Sequence, residues 1–200
     1  MVSNISGVIL AGGASKRFNG IIKAKIIIDG KTIISRILET FTDFFDEIII
    51  VTNTPDEFKE YNTCIITGDQ FLNKGPLGGI HTALKESEKE AVFVVAGDMP
   101  LLNKEIIIKQ IDFYNRCKCD ILVPKLDEYI EPLHGIYMKT LLRILEDYLE
   151  GDNDYSINKF LRKADVCYLQ LEGCGKNKRA FSNINFPEDV LIINKLPGDD

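Results

Sequence analysis

Two hydrophobic periods alternate along the chain. Short unbroken apolar runs occupy residues 8–10, 26–28, 48–51 (after Glu47, in the strand reading of 47–51) and 91–96, and each gives way at once to small or polar residues. Runs of this length, rich in Ile and Val, read as buried strands of a parallel sheet and are too short to span a membrane. Residues 63–67, 119–124 and 166–171 read as further strands, and 130–138 holds another short apolar run. Between them, apolar residues recur at helical spacing. Ile33, Ile34, Ile37, Leu38, Phe41, Phe44 and Phe45 share one broad face over 33–45. Ile106, Ile107, Ile111 and Tyr114 mark a second helix, and Leu141, Leu142, Leu145, Tyr148 and Leu149 a third over 139–150. Polar punctuation agrees with this reading. Thr54, Pro55 and Glu57 form a capping box, Asn103 caps the second helix, and Pro187 with Glu188 and Asp189 opens the last one. A short helix is expected at 157–163, a mobile loop at 172–179 and a frayed tail at 196–200. Strands alternating with helices predict an α/β fold, a mostly parallel sheet with helices on both faces. Two hundred residues without repeat or long linker fit one domain spanning 1–200.

Charge narrows the partners. The net charge of −6 argues against general affinity for nucleic acid or for an anionic membrane. Five cysteines without a Cys-x-x-Cys pair, and only two histidines, argue against a structural zinc site. The first residues lack the basic–apolar–small pattern of a secretory leader, so reduced thiols in a cytoplasmic protein are expected.

Against that acidic background the first strand breaks into Ala11-Gly12-Gly13 and then into Ser15, Lys16, Arg17 and Lys23. Glycines allow close approach of a ligand to the backbone, whose N–H groups with nearby cations suit phosphate oxygens. The loop matches neither the Walker pattern nor Gly-x-Gly-x-x-Gly. Residues 91–96 lead into Gly97-Asp98, an acid at the carboxyl end of a central strand, where open α/β sheets bind ligands and where it can hold Mg²⁺. Asn53 and Asp69 also follow strands. Gly78 and Gly79 weaken the start of a helix by roughly 1 kcal/mol each relative to Ala, which suggests close packing or a ligand there. Asn185 can be explained by capping alone, and His134 beside an apolar run reads as packed structure rather than a base.

Leu10-Ala11-Gly12-Gly13-Ala14-Ser15-Lys16-Arg17, Lys23, Gly75-Pro76-Leu77-Gly78-Gly79, Gly97-Asp98-Met99-Pro100, Glu131-Pro132-Leu133-His134 and Asn183-Ile184-Asn185-x-Pro187-Glu188-Asp189 together resemble the molybdenum cofactor guanylyltransferases, the MobA family. The similarity runs from about residue 5 to residue 194. It implies a three-layer α/β/α, Rossmann-like fold related to the nucleotide-diphospho-sugar transferases. It also implies that GTP and molybdopterin are substrates, with Mg²⁺ as cofactor. The terminal phosphate of the pterin would attack the α-phosphate of GTP and release pyrophosphate. By the resemblance, Leu10, Ala11, Gly12, Gly13, Asn53 and Asp69 contact the nucleotide. Lys23, rather than Lys25, lies at the family's spacing to touch its phosphates. Arg17 is the loop cation, Asp98 the Mg²⁺ ligand, and Gly78, Gly79, Asn183 and Asn185 stand on the pterin side. Partners would include other molybdenum cofactor biosynthesis proteins and the recipient apoenzymes. Phe18-Asn19 in the loop, Phe186 near the end, and Tyr129-Ile130 before Glu131-Pro132 depart from the family's usual residues.

Two other readings compete. A cytidylyltransferase of the same fold would prefer CTP, and its relatives more often carry Ala where Gly12 stands. A nucleotide-binding partner protein without catalysis would not need Lys23, Arg17 and Asp98 together.

Overall fold

The computed structural model describes residues 4–12, 20–117, 119–151 and 154–193. Its centre is a mixed sheet built from β1 (Ile5–Leu10), β4 (Ile48–Val51), β5 (Ile65–Thr67), β6 (Ala91–Ala96), β7 (Ile121–Leu126), β9 (His134–Met138) and β10 (Val166–Leu171). The strand order is β10–β7–β9–β6–β1–β4–β5, and β8 (Tyr129–Ile130) pairs with β7. The pairs β1–β4, β1–β6, β4–β5 and β7–β10 are parallel, and β9 runs antiparallel to both β6 and β7. The carboxyl ends of β1, β4, β5, β6 and β7 therefore share one edge of the sheet. A separate hairpin joins β2 (Ile27–Ile28) to β3 (Lys31–Thr32). Its turn, Asp29-Gly30, has φ of 47° and 78°, the left-handed pair that a two-residue hairpin requires.

Strand alternation sorts the side chains into two cores. Ile5, Ile9, Ile48, Ile50, Phe93 and Val95 pack on one face, under α1 (Ile33–Phe41), α3 (Lys104–Arg116) and α7 (Pro187–Ile193). Val8, Ile49, Val51, Val92 and Val94 pack on the other, under α2 (Pro76–Glu86), α4 (Leu142–Gly151) and α5 (Ile157–Phe160). The apolar runs follow from this: the central strands are covered on both sides, and the one polar side chain of β1, Ser6, is buried with its hydroxyl bonded to Glu47 and Ser87. Gly7 is the exception in size. A Cβ there would meet Phe45 at 2.6 Å and Phe41 at 2.7 Å, so the bare backbone is what lets those rings lie against β1.

Several sequence expectations are refined. Asn103 accepts from the amides of Glu105 and Ile106, as a cap should. Thr54 makes no side-chain cap, and Pro55–Phe58 is a 3₁₀ turn instead; the oxygen of Thr52 accepts the Thr54 amide one residue pair earlier. The segment expected as a mobile loop forms α6 (Gly175–Ala180). Its Ala180 and the following Phe181 are buried with Ile106, Leu126 and Leu171, an apolar anchor that the run of glycines and lysines conceals. The tail at 196–200 lies outside the described residues. No helix among them is long and apolar enough to cross a membrane.

His134 is fully buried, edge-on to Phe93 and Phe181 at 5.3 and 4.8 Å between ring centroids, and neither ring nitrogen finds a hydrogen-bond partner among the described residues. Burial pulls its pKa down to about 4. The unfolded chain takes up this proton near pH 6.5 and the folded chain near pH 4, so stability is complete above pH 6.5 and falls as the pH drops between the two values. The decline is expected to reach about 3 kcal/mol. Urea midpoints measured from pH 7 to pH 4 should show it, and His134→Phe should flatten that part of the profile.

Candidate active site

The carboxyl edge of the sheet opens into a cleft of about 770 Å³. That is ample for a nucleotide with a second ligand. β1 pairs with β4 on one side and β6 on the other, so the order of strands reverses there and the chain parts above it. The amide of Gly97 donates to the carbonyl of Leu10 at 2.9 Å, and that of Ala11 to Val51 at 2.8 Å, which locks the three strand ends together. A Cβ on Gly97 would stand 2.9 Å from the Leu10 oxygen and 3.1 Å from the Ala11 Cα. Glycine at 97 is thus what brings Asp98 up against the end of β1 at Leu10 and Ala11.

Lys23 is the junction of the cleft. Its Nζ lies 2.8 Å from Asp98 Oδ2 and donates to Asn185 Oδ1 at 3.1 Å, joining residues from three distant parts of the chain. The Asn185 side chain is therefore committed to the cleft. The capping role that could have explained it belongs to Asp189, whose Oδ2 accepts the amides of Asn185 at 2.7 Å and Phe186 at 2.8 Å. The amide of Ile184 donates to the Asp98 carbonyl at 2.9 Å, so 183–185 is stitched to the end of β6. Asn183 lines the cleft with a buried oxygen that has no partner. Lys25 points elsewhere, to Glu57 and Glu60, with Phe58 beneath its ammonium.

On the β4–β5 side, Asn53 Oδ1 accepts the amide of Asp69 at 3.4 Å. Asp69 keeps one carboxylate oxygen buried and unpartnered, and burial raises its pKa while Asn53 opposes the shift. Gly79 faces this pair: a Cβ there would meet Leu10 at 2.9 Å and Asp69 Oδ1 at 3.4 Å. It stands beside the residues expected on the nucleotide side, away from Asn183 and Asn185. Gly78 packs behind the wall, where a Cβ would meet the Phe71 carbonyl at 2.6 Å. Close packing accounts for both glycines. Gly13 and Arg17 lie outside the described residues.

The cleft also has a second wall, which includes Glu131 of the Glu131-Pro132-Leu133-His134 motif and Tyr129-Ile130 before it, residues to which the sequence reading gave no site role. Glu128, Tyr129, Ile130 and Glu131 line it from the β7–β8 hairpin, and Ile157 and Asn158 from the start of α5. One signal was available: Asp127-Glu128 is a turn pair between two short apolar stretches, and Asp127 takes φ of 51°.

An open, mostly parallel sheet whose central strand β1 runs into Ala11-Gly12, with a lysine ion-paired to the carboxylate that follows the neighbouring strand β6, fits an α/β nucleotidyltransferase. The MobA-like NTP transferase domain matches residues 7–167. The chain belongs to this family. It is 35% identical over 204 residues to the "probable molybdenum cofactor guanylyltransferase" of Natranaerobius thermophilus, covering 99% of this chain and 98% of that one. It is 34% identical to the molybdenum cofactor guanylyltransferase of Desulfosudis oleivorans, over 93% of this chain and 92% of the relative. Among solved structures, the molybdopterin-guanine dinucleotide biosynthesis protein A of Archaeoglobus fulgidus superposes with a TM-score of 0.78 at 25% identity, covering 94% and 96% of the two chains.

The separation of the two lysines is testable. Lys23→Gln should weaken binding of a nucleoside triphosphate by about tenfold or more, since a charge-assisted contact is lost. Lys25→Gln, on the far side of the turn, should change it less than about twofold. Titration calorimetry on both variants checks the contrast.

Proposed function

We propose that this enzyme transfers GMP from GTP to the terminal phosphate of molybdenum-bearing molybdopterin, giving the guanine dinucleotide cofactor and pyrophosphate. The observation that carries the reading is the Lys23–Asp98–Asn185 junction at the end of β6, midway between two differently furnished walls. On one side stand Leu10, Ala11, Gly12, Asn53 and Asp69, suited to the nucleoside. On the other stands the β7–β8 hairpin, free for an acceptor. The reacting phosphates would meet between them.

Mg²⁺ fits this arrangement. Among the described residues no three His, Cys, Asp or Glu side chains gather into a protein-only cage. Mg²⁺ characteristically takes one or two carboxylates and completes its shell with phosphate oxygens and water. Asp98 supplies one carboxylate in the cleft, with one oxygen held by Lys23 and no bond to the other among the described residues. Bound there, the ion would offset charge on the phosphates.

The chain's own groups do the rest. Lys23 neutralises the oxygens that gain charge as the α-phosphate is attacked, and Asn185 fixes the direction of its ammonium. Arg17 would add a second cation from the loop after Gly13. The attacking phosphate is already anionic, so no general base is required. His134, neutral and sealed between aromatic rings, is not needed for one. Gly12 is exposed, and a Cβ there would meet nothing within 4 Å, which leaves room for the larger purine. Delivery of the pterin and transfer of the product would involve other cofactor-handling proteins and recipient apoenzymes.

Pyrophosphate release with GTP, CTP and ATP, each with Mg²⁺ and with or without molybdopterin, tests the proposal. GTP-selective, pterin-dependent release is expected. A CTP preference would replace the guanylyl assignment with a cytidylyl one, and GTP binding without release would point to the non-catalytic class. Asp98→Asn should lower turnover by about 10²–10³-fold while the folded state persists, as measured by the same assay beside circular dichroism.

A further inference from the structure

The β7–β8 wall holds a carboxylate that the reaction so far leaves unused. Glu131 is half-buried and lines the cleft. Its backbone is fixed from both sides: the amide donates to the Pro124 carbonyl at 3.0 Å, and the carbonyl accepts from the His134 amide at 3.1 Å. Pro132, next in the chain, is held in turn by the Tyr137 hydroxyl at 2.7 Å. Among the described residues no cation or hydrogen-bond donor meets the Glu131 side chain. The neighbouring acid differs in this respect, since Glu128 pairs with Lys125 at 3.1 Å. Burial without a partner raises the Glu131 pKa.

Two residues earlier, Tyr129 lines the same cleft with 78% of its surface exposed. The Glu131–Pro124 bond continues the β7–β8 ladder beyond Leu126↔Tyr129 and Lys125↔Ile130. Tyr129 and Glu131 are therefore two apart on an extended strand, the spacing that puts side chains on one face. An exposed aromatic ring beside an unpaired, rigidly mounted carboxylate suits a flat heterocycle that carries adjacent N–H donors.

The strand order says which substrate this is. β6, with Asp98, separates β1, β4 and β5 from β9, β7 and β8. Asn53 and Asp69 stand on the first side and Glu131 on the second. A reaction centred on Asp98 and Lys23 has its nucleoside on the first side and its acceptor on the second. The acceptor in the proposed function carries a pterin, whose 2-amino-4-oxo pyrimidine edge presents a ring N–H and an amine N–H side by side. Two carboxylate oxygens can accept both.

We propose that Glu131 reads the 2-amino-4-oxo edge of the acceptor pterin, with Tyr129 stacking on the ring, so that the β7–β8 hairpin determines acceptor specificity. This rests on the acceptor assigned above. Glu131 binds the ring far from the phosphates, so it contributes to acceptor affinity and leaves the transfer step itself unchanged.

The test is a KM and kcat comparison of wild type, Glu131→Gln and Tyr129→Ala, under anaerobic conditions with GTP and molybdopterin varied in turn. Gln keeps the size of Glu but replaces one acceptor oxygen with an amide NH2, a donor facing the ring's donors, and removes the charge. Tyr129→Ala removes an exposed side chain that the fold does not depend on. Each variant is expected to raise the KM for molybdopterin about tenfold or more, with the KM for GTP and the kcat at saturation within about twofold. Free pterin should inhibit wild type better than lumazine, in which an oxo group replaces the amine, and Glu131→Gln should erase that preference. An unchanged molybdopterin KM in Glu131→Gln overturns the assignment while leaving the guanylyl reading intact. A rise in both KM values, or a collapse of kcat, also overturns it, because Glu131 would then be supporting the structure. Wild-type enzyme that releases no pyrophosphate with molybdopterin removes the acceptor reading and this inference with it.

Discussion

The close approach of two strand ends governs this molecule. β1 and β6 lie side by side and parallel, and at their carboxyl ends the Gly97 amide bonds the Leu10 carbonyl with no room for a Cβ between them. That contact sets Asp98 beside the carboxyl end of β1. It fixes where Lys23 must come to find its carboxylate, and through the Ile184–Asp98 bond it draws in a segment more than eighty residues later in the chain. The wall of Asn53 and Asp69 and the wall of the β7–β8 hairpin take their positions on either side of it. A wider junction would leave the same residues present but too far apart to act on one phosphate.

The two cores make such a junction affordable in structural terms. The alternating residues of β1, β4 and β6 go to opposite faces, and each face is roofed by helices, so the strands are held in place along their whole length. Rigidity at the strand ends follows from packing beneath them. The polar groups of the cleft then need little local support. Asn53 with Asp69, and Asn185 with Lys23, each make one bond and leave other capacity open to a ligand. The buried oxygens Asp69 Oδ1 and Asn183 Oδ1 find no partner among the described residues, and a ligand that donates to them satisfies both.

Much of this was legible in the chain before the structure. The continuous runs at 8–10, 48–51 and 91–96 identify doubly covered strands, and the small and polar residues after them identify the edge that bears the site. Local chemistry is harder to read where two explanations use the same residue. Asn185 could cap α7 or face the cleft, and the competition is resolved by Asp189, which takes the cap and frees Asn185 for Lys23. Thr54 had every local feature of a cap, yet its neighbour Thr52 holds it in a different turn. The glycines and lysines of 172–179 suggested a loop because the apolar anchor, Phe181, lies just beyond them and packs on residues remote in sequence.

The sequence by itself determined the layers, the buried strands and the identity of the groups at their ends, because hydrophobic period and turn chemistry are local properties that each segment carries alone. The tertiary structure decided which of those groups meet. Lys23 rather than Lys25 reaches Asp98, Gly79 serves Leu10 and Asp69, and Glu131 stands across β6 from them with no side-chain partner among the described residues. Those outcomes depend on strand order and on the separation of chain segments in space. Both are set by packing summed over the whole sheet, which no single stretch of sequence contains.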